Sequence, residues 1–207
     1  MISVGGWVWS GEFSNVCASK EARDKFAKSA VEFIVEWGFD GIDLDWEYPQ
    51  GGGLEGNSAR PEDKVNFTLL MANLRERLNA QGKLDGKTYL LSFASTGNRP
   101  QLKQYEFVKL AEIVDWINIM SYDQHVPNHS EWNAVTGLNS SLYSNPNEPE
   151  IEEVVKHFNV AFICQEMVRL GVPKAKLNAG FPFYGKGYSD VPAINNGLFQ
   201  EYKGISS

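Results

Sequence analysis

The chain has 207 residues, 43% hydrophobic and 13% aromatic, enough to bury the core of one globular domain. A formal charge of −7 argues against nucleic acid or an anionic membrane surface as a partner. No run of about 18 apolar residues is present to span a membrane. Met1 leads straight into a strand-like segment rather than a signal peptide, as expected for a piece cut from a longer chain.

In chain order, Ile2 to Trp7 predicts a short strand that ends in a turn at Gly5 and Gly6. Ser19 is a suitable N-cap for a helix over about Lys20 to Trp37, with Gly38 as its left-handed stop. Phe26, Ala27, Ala30, Val31, Ile34 and Trp37 give that helix one apolar face. Cys17 and Cys164 have no metal-type spacing and read as two buried thiols, with a disulfide between them as the alternative. Trp9, Trp37 and Trp116 are expected in the core.

The stretch Asp40-Gly41-Ile42-Asp43-Leu44-Asp45-Trp46-Glu47-Tyr48-Pro49 carries the chemistry. Ile42, Leu44 and Trp46 alternate with Asp43, Asp45 and Glu47, so a strand puts the apolar set on one face and three carboxyls on the other. Carboxylates about 6.5 to 7 Å apart on one strand face repel one another once removed from water. Repulsion and burial raise at least one pKa, as a general acid working near neutral pH requires. Pro49 cannot donate to a sheet ladder, so Glu47 falls near the strand's carboxyl end. A solvated acidic face would not alternate with Ile, Leu and Trp, and a calcium loop would need a mid-loop Gly and a distal bidentate Glu.

Gly51 to Arg60 is a glycine-rich polar loop without the Lys-Ser/Thr ending of a phosphate loop. Pro61, Glu62 and Asp63 suit the start of a helix that carries Phe67, Leu70, Met71, Leu74 and Leu78, with Gly82 expected to close it. A strand over Tyr89 to Ala94, a helix over Gln101 to Ile113 and a strand over Trp116 to Tyr122 follow. The last strand sets Asn118, Met120 and Tyr122 on one face. Gln124 to Pro149 is a long polar loop holding Trp132. A helix from about Glu150 to Leu170 and a strand from Leu177 to Phe181 complete the pattern. Five strands alternating with helices predict a parallel sheet, either open and doubly wound or an arc of a (β/α)8 barrel. The acidic strand favours the barrel, whose catalytic groups sit at the strands' carboxyl ends. His125, His129 and His157 have no ligand-like spacing, so neither metal nor cofactor is expected.

Asp40-x-x-Asp43-x-Asp45-x-Glu47 followed by Tyr48-Pro49 resembles the signature of the glycoside hydrolase family 18 chitinases. Ser3-Val4-Gly5-Gly6-Trp7, Met120-Ser121-Tyr122-Asp123 and Gly180-Phe181-Pro182-Phe183-Tyr184-Gly185 resemble three further elements of that family, in the same order. The resemblance implies an α/β fold, a parallel (β/α)8 TIM barrel of which this chain holds strands three to seven. Residues 1–187 would be the partial catalytic domain, and 188–207 the start of an α+β insertion. It implies endo-hydrolysis of β-1,4-linked N-acetylglucosamine polymers by a substrate-assisted retaining mechanism, outside the two-carboxylate scheme. Glu47 would protonate the glycosidic oxygen while Asp45 stabilises the acetamido group. Asp43 would share a proton with Asp45, and Tyr122 would hold the acetamido oxygen. Trp7, Tyr48, Met120, Asp123, Tyr184 and Lys186 would bind substrate, with Ser3 and Asp40 in support. The partner implied is chitin or its oligosaccharides, and the implied location is extracellular.

Departures from the family pattern are Lys186 where Arg is common, which lacks the bidentate fork, and Asn133 after Trp132 where Asp is common. Residues Val126 to Glu131 read as an insertion. Competing readings are a lectin-like or inactive fragment that binds without cutting, an endo-N-acetylglucosaminidase acting on glycoprotein glycans, and a non-sugar α/β protein.

Overall fold

The structure is a computed structural model that describes residues 1–127, 134–149 and 157–205. It divides into two compact units. The first comprises Met1–Thr96, Pro100–Asn118 and Met167–Asn178, and the second Gly97–Arg99, Ile119–Glu166 and Ala179–Ser207.

The first unit is built on strands β1 (Ile2–Gly5), β2 (Gly41–Asp45), β3 (Leu90–Thr96), β4 (Trp116–Met120) and β5 (Leu177–Ala179). β4 and β5 give their last residues to the second unit. The strands lie in the order β1-β2-β3-β4-β5, and β2 is parallel to both β1 and β3. A doubly wound sheet reverses its strand order at a switch point, whereas successive strands of a barrel follow the chain. The order here has no reversal, so the sheet is the barrel arc.

Helices α1 (Phe13–Ala18), α2 (Lys20–Glu36), α3 (Asp63–Asp85) and α4 (Phe107–Ile113) follow the strands in turn. Ser19 caps α2 by accepting from the Ala22 amide, and α2 buries Ala27, Val31 and Ile34. α3 buries Phe67, Leu70, Met71, Leu74 and Leu78. Ile42, Leu44 and Trp46 are almost wholly removed from water. Each such burial contributes roughly 1.5–3 kcal/mol. Rings then run in contact from Phe13 through Trp46, Phe67 and Phe93 to Tyr105 and Phe107, with centroids between 5.2 and 5.9 Å apart.

Several local expectations are corrected. α1 has no counterpart in the sequence reading. α3 runs through Gly82 and stops at Gly86, where φ is +64°. Gly82 instead lets the chain return close to the helix, because a Cβ there would lie 2.3 Å from the Lys87 carbonyl oxygen. The single helix expected over Gln101 to Ile113 is a 3-10 turn (Arg99–Gln104) and α4, separated where Tyr105 turns into the core between Phe93 and Phe107. Trp37 is 66% exposed because it lies past the end of α2, and Trp9 is 82% exposed in the turn after β1. Both cysteines are free.

Helix α5 (Val160–Arg169), whose residues up to Glu166 belong to the second unit, begins at Asn159, whose side chain accepts from the Phe162 amide. Residues 150–156, the start of the helix expected from Glu150, lie outside the described residues. β6 (Tyr188–Ser189) and β7 (Gly204–Ile205) form a small antiparallel pair. Thr136 ties the chain near β7 to the long loop through backbone bonds with Phe199 and Gln200. No described helix is long and apolar enough to cross a membrane.

Candidate active site

The acids of β2 share one face and have very different surroundings. Asp43 is held by three side chains: Ser3 donates to Oδ2 at 2.8 Å, while Ser92 and Asn118 donate to Oδ1 at 2.6 and 2.9 Å. Ser3, Asp43 and Ser92 occupy one row across β1, β2 and β3, so strand register delivers two of the donors. Asp45 receives no such clamp, and its Oδ1 is buried without a hydrogen-bond partner. Its pKa is pushed up to about 7, first by burial and then by the charges of Glu47 and Asp43. Glu47 is 8% exposed. The Tyr48 hydroxyl donates to it, and burial together with that carboxylate drives the Tyr48 phenol far above its ordinary value. The peptide between Glu47 and Tyr48 is cis. The trio therefore combines a fixed carboxylate, a carboxyl that keeps its proton close to neutrality, and a buried acid beside it.

Ser10 and Asn57, which the sequence reading missed, fix the backbone here. The fully buried Ser10 hydroxyl accepts from the Glu47 amide at 2.9 Å and donates to the Gly6 carbonyl at 2.8 Å. Asn57 donates to the Glu47 carbonyl. Gly5 is obligatory: its φ is +114°, and a Cβ would stand 2.1 Å from the Asp45 carbonyl oxygen. Trp7 follows in the turn, 48% exposed, as a ligand-stacking ring requires. Asp40 does not join the acids. It lies before the opposite end of β2, paired with Lys87 at 2.8 Å, and that hydrogen bond lowers its pKa.

The second unit gathers most of the other candidates. Tyr184 donates to Asp123 Oδ2 at 2.8 Å, and Lys186 pairs with Asp123 Oδ1 at 2.8 Å while sitting 4.9 Å over the Tyr184 ring. Tyr122 meets Tyr184 edge-on, with ring centroids 6.1 Å apart. Gly180 makes room for it, since a Cβ would lie 2.8 Å from the Tyr122 ring. Met120 ends β4, partly buried, with its carbonyl close against Gly97. Lys186 thus makes a point-charge contact where a guanidinium would form a fork. Trp132 and Asn133 lie outside the described residues.

Asn118 sits on the same alternating face as Met120 and Tyr122, and that period was the available signal for it. Ser10, Asn57 and Ser92 had no comparable signal, because each acts through long-range contact. Among the described residues no group of three or more His, Cys, Asp and Glu could hold a metal ion.

The sequence model of glycosyl hydrolases family 18 matches residues 1–206. Chitinase A1 of Niallia circulans is 46% identical over 212 residues, a match that covers 100% of this chain and 29% of that relative. The structure of chitinase ChiA74 from Bacillus thuringiensis superposes with a TM-score of 0.88 at 44% identity, over 97% of this chain and 31% of that one. Catalytic domain 2 of the Ostrinia furnacalis Group II chitinase, a mutant in complex with penta-N-acetylchitooctaose, gives a TM-score of 0.83 at 32% identity, over 98% of this chain and 50% of that one. The chain therefore spans half or less of the length of each of these relatives. With the family's sequence pattern matched from end to end, this chain belongs to glycosyl hydrolases family 18.

Proposed function

We propose that the chain carries catalytic machinery for hydrolysing β-1,4-linked N-acetylglucosamine polymers, with retention at the anomeric carbon. One observation carries the reading: Asp45 keeps its proton near neutrality between the clamped Asp43 and the buried Glu47. In the first step Glu47 gives its proton to the glycosidic oxygen. The substrate's acetamido oxygen attacks the anomeric carbon as the bond to the leaving sugar breaks, giving an oxazolinium ion. Water, deprotonated by Glu47, then opens that ring and leaves the β-anomer. Asp45 passes the proton it shares to Asp43, and its carboxylate, whose Oδ1 has no partner, then accepts from the acetamido N–H and offsets the positive charge.

Tyr122 is assigned to the acetamido oxygen, and Trp7, Tyr48, Met120, Asp123, Tyr184 and Lys186 to the sugars. Ser3 acts through Asp43. The solved relative that holds penta-N-acetylchitooctaose supports the choice of substrate. Secretion and a role for the β6–β7 segment as the start of an insertion belong to the same proposal.

The test is product analysis of a chitin hexamer incubated with this chain and with its Glu47→Gln variant. Shorter oligomers formed as the β-anomer by the parent alone support the reading. Equal turnover by the variant removes Glu47 from the acid role, and binding without cleavage by the parent favours the lectin-like alternative.

A further inference from the structure

We propose that Asn139 is a positioning residue for Tyr122 and Asp123, an inference that rests on the reading that those two side chains contact the sugar. Asn139 lies in the long loop after β4, remote in sequence from Tyr184, yet its amide joins the two. Its Oδ1 accepts from the Asp123 N–H at 3.1 Å, and its Nδ2 donates to the Tyr184 carbonyl at 3.2 Å. The Tyr184 hydroxyl returns to Asp123 Oδ2 at 2.8 Å, so three hydrogen bonds close a ring.

The uncharged amide supplies the required acceptor and donor in one plane, which a carboxylate cannot. It can face only one way, because a flip would set Oδ1 against the Tyr184 carbonyl and Nδ2 against the Asp123 N–H. The loop holds Asn139 in place on both sides. Its own carbonyl accepts from the Gln124 N–H at 3.1 Å, Ser140 donates to the Ser121 carbonyl at 2.8 Å, and the Ser141 N–H donates to Gln124 Oε1 at 2.5 Å. Asp123 sits at φ +57°, a left-handed conformation unusual for a non-glycine residue, and its N–H is the group that Asn139 engages. The peptide so fixed is the one that joins Asp123 to Tyr122, whose ring lies edge-on to Tyr184. Orientation of Tyr122 is thus set by a side chain that need not touch substrate itself.

The experiment measures kcat and KM on the chitin hexamer for the parent, Asn139→Ala and Asn139→Asp across pH. A protonated carboxyl reproduces the amide, accepting through C=O and donating through O–H, whereas the carboxylate lacks the donor and repels the Tyr184 carbonyl. Asn139→Asp is therefore expected to approach the parent at low pH. Its kcat should fall about tenfold relative to the parent as pH rises past the ordinary carboxylate range, with KM within about threefold. Asn139→Ala should lose about tenfold in kcat throughout. A pH-independent ratio for Asn139→Asp, or an alanine variant within about twofold of the parent, overturns the assignment.

A parent that neither binds nor cuts the hexamer sinks the functional reading instead. The ring is then read from amide exchange at Asp123: faster exchange in a folded Asn139→Ala supports it, and unchanged exchange overturns it.

Discussion

Asp43 and Asp45 stand two residues apart on one strand face, yet Asp43 takes three side-chain hydrogen bonds and a buried oxygen of Asp45 takes none. The three donors fix the orientation of the Asp43 carboxyl. The carboxyl beside it has no such donor on its buried oxygen, and burial pushes its pKa up. A single strand thereby presents a clamped carboxyl, a carboxyl with its pKa pushed up to about 7 and a buried acid in succession, and the clamp is what the neighbouring strands supply.

Asp45 makes folding sensitive to pH in a definite sense. Its carboxyl has an ordinary value of 3.8 and is raised to about 7 in the fold. Below the first value it is protonated in both states and contributes nothing. Between the two, the unfolded chain has lost the proton that the folded chain keeps, so stability falls as pH rises, and above about 7 the cost is complete. Asp45→Asn should match the parent's melting temperature near pH 4 and exceed it by several degrees above pH 7. Thermal melts across that range check this, and turnover should fall by roughly 10².

Asn118→Ala removes one donor from Asp43 and the acceptor that Asn178 uses at 3.2 Å. We expect a loss of about 1–3 kcal/mol, the scale of a hydrogen bond to a charged group. Urea denaturation should show a lower midpoint with an unchanged slope.

Ser10→Ala leaves the Glu47 amide and the Gly6 carbonyl without their shared hydroxyl in a site closed to water. The expected cost is about 1–3 kcal/mol. Turnover should drop about tenfold as Glu47 loses its backbone anchor. Activity assayed well below the variant's melting temperature separates the two effects.

Two glycines with positive φ should respond very differently to alanine. Gly38 has φ +72° and nothing within 4 Å of an added Cβ, so only the backbone strain of roughly 1–2 kcal/mol applies. At Gly5 the Cβ would meet both the Asp45 carbonyl oxygen at 2.1 Å and the Phe13 ring at 2.7 Å. Gly5→Ala should cost more than about 4 kcal/mol, and soluble yield with circular dichroism distinguishes the pair.

The period of two in Ile42 to Glu47 was enough to place the acids on one face and the apolar residues on the other, because alternation is a local property of strands. The barrel arc was legible as one of two alternatives, and strand order decided between them. The clamp on Asp43 was not legible: it needs the register of Ser3, Asp43 and Ser92 across three strands, which no single segment encodes. Ser10 and Asn139 were hidden for the same reason, each acting across a gap in sequence. Trp9 and Trp37 show the converse error, since an apolar side chain is not bound to be buried.

Asp63 has a consequence for the glycine-rich segment that follows Glu47. This wholly buried carboxylate accepts from the Ser14 hydroxyl and from the backbone amides of both Gln50 and Arg60, so it grips the segment at its two ends. A protease that nicked the chain near the exposed Leu54 would cut a strap already fastened on either side. The severed ends would stay where they were, and the backbone carrying Glu47 would keep its shape through a covalent break.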